Sequence, residues 1–170
     1  MFKKLVIVML LALPMGVFAQ AQKFGHVNSA DVISLMPEYT KAIDDLEAMK
    51  KQFTDELTRT QEEFNRKYQE FQQAMASESL PQNIAERRQK ELEDMMQRQQ
   101  QFQEEASMQM QRAQQEKMVP VYKRLNDAIA AVGQAEGVIY VFDLARTDIP
   151  YVSTASIDLT AKLKAQLGLK

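Results

Sequence analysis

The chain has 170 residues with no cysteine and one histidine, and its 21 basic and 23 acidic side chains give a formal net charge of −2 at pH 7. The absence of cysteine excludes disulfides, and we expect no cysteine-linked lipid anchor. The slight acidic excess argues against nucleic-acid binding, which requires a clustered basic face.

The N-terminal residues 1–21 show the three-part pattern of a secretory signal peptide. Lys3 and Lys4 precede an unbroken apolar run from Leu5 to Leu13, and small residues follow at Ala19 and Ala21. The apolar run is too short to cross a bilayer, which needs about 20 apolar residues. We therefore expect a soluble mature protein outside the cytoplasm, cleaved after Ala19 or after Ala21.

Residues 37–119 carry the strongest periodic pattern. In the first half, apolar residues recur at spacings of 4, 3 and 4, which is an 11-residue repeat and predicts a helix with one apolar stripe. Turn-forming residues around Pro81 interrupt the pattern before it resumes. We predict an antiparallel coiled-coil hairpin with its tip near residues 78–83. The predicted seam consists of Leu46, Met49, Phe53, Leu57, Phe64, Tyr68, Phe71, Met75, Met95, Phe102 and Met110.

The two ends of the mature chain, residues 22–36 and 120–170, have a different composition. Phe24–Asn28 and Val138–Phe142 predict strands, the second one buried because it is rich in β-branched and aromatic residues. Ile149–Val152 predicts a partner edge strand, and Asp158 is the expected N-cap of a last helix. We predict that these segments form a small β-rich body and that the fold is α+β, mainly α.

Four apolar side chains outside the predicted seam are candidates for contact with a partner. Met96, Met108 and Met118 lie on the flanks of the second helix or opposite its apolar stripe, and Leu80 lies at the tip. Methionine adapts to many apolar shapes because it is unbranched and polarizable. Pro120 should kink or restart the second helix and is the predicted hinge.

Constellations that support enzymatic chemistry are missing from the sequence. His26 is the only histidine, no nucleotide-binding glycine motif is present, and the carboxylates alternate with basic residues as on a solvated helix. A hydrolase with a helical insertion would have to recruit His26 from a predicted strand. We therefore expect no catalytic residue, metal or cofactor.

The layout resembles the Skp/OmpH family of periplasmic chaperones over nearly the whole mature chain. The segments that carry the resemblance are Phe24–Asn28, Met36–Tyr39, Pro120 with Ala128–Val132, Gly137–Phe142 and Asp158–Thr160. The resemblance implies a jellyfish-like homotrimer in which the small β-rich body is the oligomerisation body and the helical hairpins surround a cavity. It also implies ATP-independent holding of unfolded outer-membrane proteins in that cavity.

The charge of the predicted hairpin departs from the basic pattern of the best-known members of that family. Residues 37–119 contain 12 basic and 17 acidic side chains. This argues against lipopolysaccharide contact. The alternative function is a structural coiled-coil adaptor or spacer in a periplasmic envelope complex, which would use the same stripes to bind one defined partner.

Overall fold

The computed structural model describes residues 22–77 and 80–169, and the predicted signal peptide lies outside them. Within this part of the chain the long helices and the small sheet agree with the predicted α+β, mainly α, class. The elements in chain order are β1 (Phe24–Val27), α1 (Ser29–Ile33), α2 (Pro37–Ala76), α3 (Gln82–Glu136), β2 (Tyr140–Asp143), β3 (Ile157–Asp158) and α4 (Thr160–Gln166). Each helix in residues 22–77 and 80–169 is too short or too polar to be a transmembrane span.

The chain divides into two compact units. The helix-pair unit is Ser34–Arg124, and the sheet unit combines residues up to Ile33 with residues from Leu125 onward. Helix α3 contributes to both units because it continues past Arg124 to Glu136.

The sheet unit is built on three parallel strands in the order β2-β1-β3. The predicted edge strand at Ile149–Val152 is wrong, because Ile157 and Asp158 occupy the ladder beside β1. Pro150 has no amide hydrogen for a ladder, and the neighbouring Tyr151 is largely exposed. The apolar composition of Ile149–Val152 was therefore not sufficient to predict a strand.

Two glycines allow the elements of the sheet unit to pack closely. A Cβ on Gly25 would lie 2.7 Å from Leu159 Cδ1, and a Cβ on Gly133 would lie 2.9 Å from Val141 Cγ2. Leu159 is fully buried. Gly25 thus leaves space on β1 for a large side chain from the C-terminal end of the chain.

The start of α4 differs from the prediction by one residue. Leu159 is the N-cap residue, and Asp158 precedes it. The Asp158 carboxylate nevertheless accepts a hydrogen bond of 2.9 Å from the Thr160 amide. Hydrogen bonds from Thr160 lower the pKa of Asp158 below its ordinary value of 3.8. Asp158 therefore supports the helix start from outside the cap position.

Helix α3 runs without a break from Gln82 to Glu136 across Pro120, so the predicted restart of the helix there is wrong. Proline removes one backbone hydrogen bond and its ring crowds the carbonyl four residues earlier, yet the helical turns on both sides continue. A hinge at Pro120 stays a prediction.

We expect Gly25→Ala and Leu159→Ala to affect stability non-additively. Leu159→Ala should lower the free energy of unfolding by about 2–5 kcal/mol, and Gly25→Ala by about 1–3 kcal/mol because its methyl group meets Leu159. In the Leu159→Ala background, Gly25→Ala should lower the free energy of unfolding by less than half of what it does in the wild type. The new methyl group then enters the space that the Leu159 side chain has vacated. Urea denaturation of the four proteins measures this, and additive costs would contradict the packing described.

Candidate functional site

The long helices α2 and α3 contact each other through side chains spread along the helix-pair unit. As residue numbers rise along α2 the contacting residues fall along α3, so the two helices run antiparallel. The contacts are the ion pairs Glu38–Arg124, Asp45–Lys117 and Lys67–Glu91, the ring contact Phe53–Phe102 and the hydrogen bond between Gln61 and Gln99.

The shielded stripe of α2 has a seven-residue repeat in its C-terminal half. Beyond Leu57 the half-buried positions are Thr60, Phe64, Lys67, Phe71 and Ala74, at spacings that alternate between four and three. A seven-residue repeat is typical of coiled-coil pairing. The 11-residue repeat inferred from the sequence therefore does not hold beyond Phe64.

For this reason the prediction that Tyr68 and Met75 belong to the seam is wrong. Tyr68 is 46% exposed and Met75 is 51% exposed, because Lys67 and Ala74 occupy the stripe positions beside them. Tyr68 instead stacks on Phe64, with ring centroids 6.1 Å apart. The other predicted seam residues are half-buried: Leu46, Met49, Phe53, Leu57, Phe64, Phe71, Met95, Phe102 and Met110.

The four candidate contact residues have different environments. Met96 is 58% exposed and Met108 is 51% exposed, while Leu80 is half-buried. Met118 is only 8% exposed, so its prediction as an accessible contact is wrong. It precedes Val121 by three residues, and both fall on the face that the helix buries in that region.

The polar groups that join the two helices were not predicted from the sequence. Lys67 forms an ion pair with Glu91, and Gln99 donates a hydrogen bond of 2.9 Å to Gln61. The sequence carried a signal for the ion pairs, because residues of opposite charge lie at similar distances in sequence before and after Pro81. These pairs set the register of the helices through charge and hydrogen-bond geometry as well as through apolar packing.

Two ion pairs shift the pKa of a carboxyl group. Hydrogen bonding and charge from Lys117 lower the pKa of Asp45 below its ordinary value of 3.8, with Nζ and Oδ2 2.7 Å apart. Lys67 lowers the pKa of Glu91 below 4.5 in the same way. A lowered pKa in the folded state stabilises the fold above the ordinary value, and this contribution is lost as the pH falls through the lowered pKa.

The sheet unit exposes an aromatic patch formed by Phe24, Tyr140 and Phe142. Their ring centroids lie 6.2–6.4 Å apart, and all three side chains are exposed. The prediction that Val138–Phe142 is a buried strand is therefore wrong for Tyr140 and Phe142. Alternation along a strand places both rings on one face, and no other described element covers that face enough to bury them.

His26 has a hydrogen-bonding role in the sheet unit. Its Nδ1 lies 2.8 Å from Ser156 Oγ, which links β1 to the segment before β3. In the described residues no group of three or more histidine, cysteine, aspartate or glutamate side chains is arranged to hold a metal ion.

These features define an α+β protein with an antiparallel helix pair and a three-stranded parallel sheet. The chain matches the family described as "Outer membrane protein (OmpH-like)" over residues 23–167. The chain therefore belongs to the OmpH-like family, which confirms the resemblance found in the sequence. This is a family of periplasmic chaperones, and membership indicates a chaperone role in outer membrane protein biogenesis. No curated protein matches the chain significantly.

Removing the charge of Lys117 should raise the pKa of Asp45. In Lys117→Met the Asp45 carboxyl should titrate at a higher pH than in the wild type, because its hydrogen-bond donor and neighbouring positive charge are gone. Carboxyl-carbon NMR titration measures this. Glu91 is the internal control and should titrate unchanged, and an unchanged Asp45 would contradict the pairing.

The ring contact between Phe53 and Phe102 should contribute more stability than the exposed Tyr68. We expect Phe102→Ala to lower the free energy of unfolding by about 1–3 kcal/mol, less than the ~3–5 kcal/mol typical of a fully buried phenylalanine. Tyr68→Ala should cost less than about 1 kcal/mol. Urea denaturation followed by circular dichroism at the helix band compares them, and equal losses would be inconsistent with the seam.

Proposed function

We propose that this protein is an ATP-independent periplasmic holdase that binds unfolded outer-membrane proteins and prevents their aggregation. The observation that carries the proposal is the family match over residues 23–167. The helix pair supports it, because helices of this kind offer a long surface without an enclosed pocket for a single small ligand.

The dimensions of the helices suit multivalent contact with an extended chain. Helix α2 has 40 residues and α3 has 55, which correspond to about 60 Å and 80 Å at a rise of about 1.5 Å per residue. Many weak contacts along such lengths act at high effective concentration and replace one tight site. We assign Leu80, Met96 and Met108 to this contact surface and remove Met118 from it.

Self-assembly belongs to the same proposal. The aromatic patch of Phe24, Tyr140 and Phe142 is an exposed apolar surface of the kind that marks protein interfaces. Strand β2, which carries two of these rings, also lies at one end of the strand order. We propose a homotrimer assembled through the sheet unit, with the helix pairs of the three copies around a common cavity and Pro120 as a hinge.

A coiled-coil adaptor or spacer would use the same helix pair. The two functions differ in the number of partners, because a holdase accepts many unfolded barrel proteins and an adaptor binds one or two folded components. Affinity purification of the chain from periplasm, followed by mass spectrometry, separates them.

The purified chain without its signal sequence should suppress aggregation of a urea-unfolded outer-membrane β-barrel protein on dilution. Protection should be complete near one trimer per client and should not require a nucleotide, because release follows from folding of the client in the membrane. Light scattering measures the effect, with serum albumin at equal mass as the control. Unchanged aggregation at a several-fold excess of trimer would reject the holdase function.

A further inference from the structure

The outward surfaces of α2 and α3, opposite the seam, differ in chemical character. On α2 this surface is charged and contains ion pairs within the helix, such as Lys51–Asp55 with an Nζ–Oδ2 distance of 2.6 Å. On α3, nine of the 19 residues from Gln97 to Gln115 are glutamine. Solvated helix surfaces carry charged or polar residues, and α3 differs from α2 because many of its polar residues in this region are neutral amides.

Helical periodicity places five of these glutamines together with Met108 on the side of α3 away from the seam. We call this surface the amide face. Its members, all exposed, are Gln97, Gln100, Gln101, Met108, Gln111 and Gln115. Glu104 and Arg112 lie among them, so the amide face carries no net charge.

The glutamines of the amide face form no side-chain hydrogen bond with any other residue that the structure describes. Some glutamines elsewhere on α2 and α3 do form such bonds. The paired ones include Gln61 with Asn65, Gln72 with Tyr68, Gln82 with Glu86, Gln89 with Glu93, and Gln99 with Gln61. The amide face therefore presents unused hydrogen-bonding groups in one row.

The chemistry of these groups matches that of an exposed polypeptide backbone. Each glutamine amide has two N–H donors and one carbonyl acceptor, and an unfolded chain offers the same donors and acceptors along its backbone. Hydrogen bonds between neutral amides do not depend on the charge of the client. Met108 adds an adaptable apolar contact at the centre of the row.

Other occupants fit this surface poorly. A partner helix packing as a coiled coil requires an apolar stripe, whereas the amide face has one apolar residue. Nucleic acid and anionic membranes require clustered basic residues, and Arg112 is balanced by Glu104.

We infer that the amide face binds the backbone of unfolded client chains through neutral hydrogen bonds, which makes client capture nearly independent of client charge and of salt. This rests on the proposed holdase function and assigns it to one surface of α3. The charged surface of α2 keeps the helix pair in solution and does not contact the client.

Two matched pairs of substitutions test the assignment. Gln101→Glu with Gln111→Glu changes the amide face, and Gln52→Glu with Gln69→Glu adds the same charge to exposed positions of α2. Glutamate preserves side-chain length and helix propensity but removes both amide donors at each position. The protein concentration that halves aggregation of the unfolded barrel protein should rise at least about threefold for the variant of α3. For the variant of α2 it should equal that of the wild type.

A variant of opposite charge separates amide chemistry from electrostatic attraction. Gln101→Lys with Gln111→Lys removes the carbonyl acceptors, so it should also weaken protection, even of an acidic client. Wild-type binding of the client should change less than about twofold between low and high salt. Circular dichroism of every variant checks that the helices remain formed.

Several outcomes would overturn the assignment of the amide face. These are equal loss in the α2 and α3 variants, full protection by the α3 variant, or improved protection of an acidic client by the lysine variant. A wild-type chain that does not protect at all would instead reject the proposed holdase function, so the two failures are distinguishable.

Discussion

The shielded seam between α2 and α3 is the constraint on which the surface of the helix-pair unit depends. Beyond Leu57 the seam positions of α2 alternate at spacings of three and four, and the side chains on the seam are buried or half-buried. One stripe of each helix packs on the other helix, so the remaining positions around each helix are not constrained by that packing. The seam therefore decides which side chains point outward, and the outward side chains decide what the protein contacts. Charged pairs on α2 and unpaired amides on α3 are compatible with the same seam.

The sheet unit imposes a second constraint, on the path of the chain. Strand β1 pairs in parallel with β2 and β3, which lie more than a hundred residues later in the sequence. The chain that leaves β1 must return to the same sheet, and the antiparallel course of α2 and α3 provides the reversal of chain direction. Leu159 packing over Gly25 stabilises this closure, so a residue near the C-terminus fixes the position of the first strand.

The sequence predicted the parts of the fold that depend on local patterns. The long helices and β1 follow from periodicity and composition. The prediction failed where the facing helix determines which residues are shielded. Lys67 lies on the seam in place of Tyr68 and pairs with Glu91 across from it. Met118 is buried because the shielded face of α3 shifts along the helix. The prediction also failed at Ile149–Val152, where composition favoured a strand but the ladder was completed by Ile157 and Asp158. Exposure of Phe24, Tyr140 and Phe142 depends on which face of the sheet is covered, and no single segment contains that information.

Reversibility explains why a holding surface would be built from amides. A client must leave without an energy source, so each contact has to be weak and exchangeable with water. A neutral hydrogen bond contributes only about 0.5–1.5 kcal/mol net in water, because the client backbone bonds nearly as well to solvent. Buried ion pairs would restrict clients by charge, and a continuous apolar stripe would recruit another helix. A row of amides around Met108 avoids both outcomes, and its strength comes from the number of contacts along α3. Once the client pairs its own backbone in a barrel, it no longer offers the groups that the amide face binds.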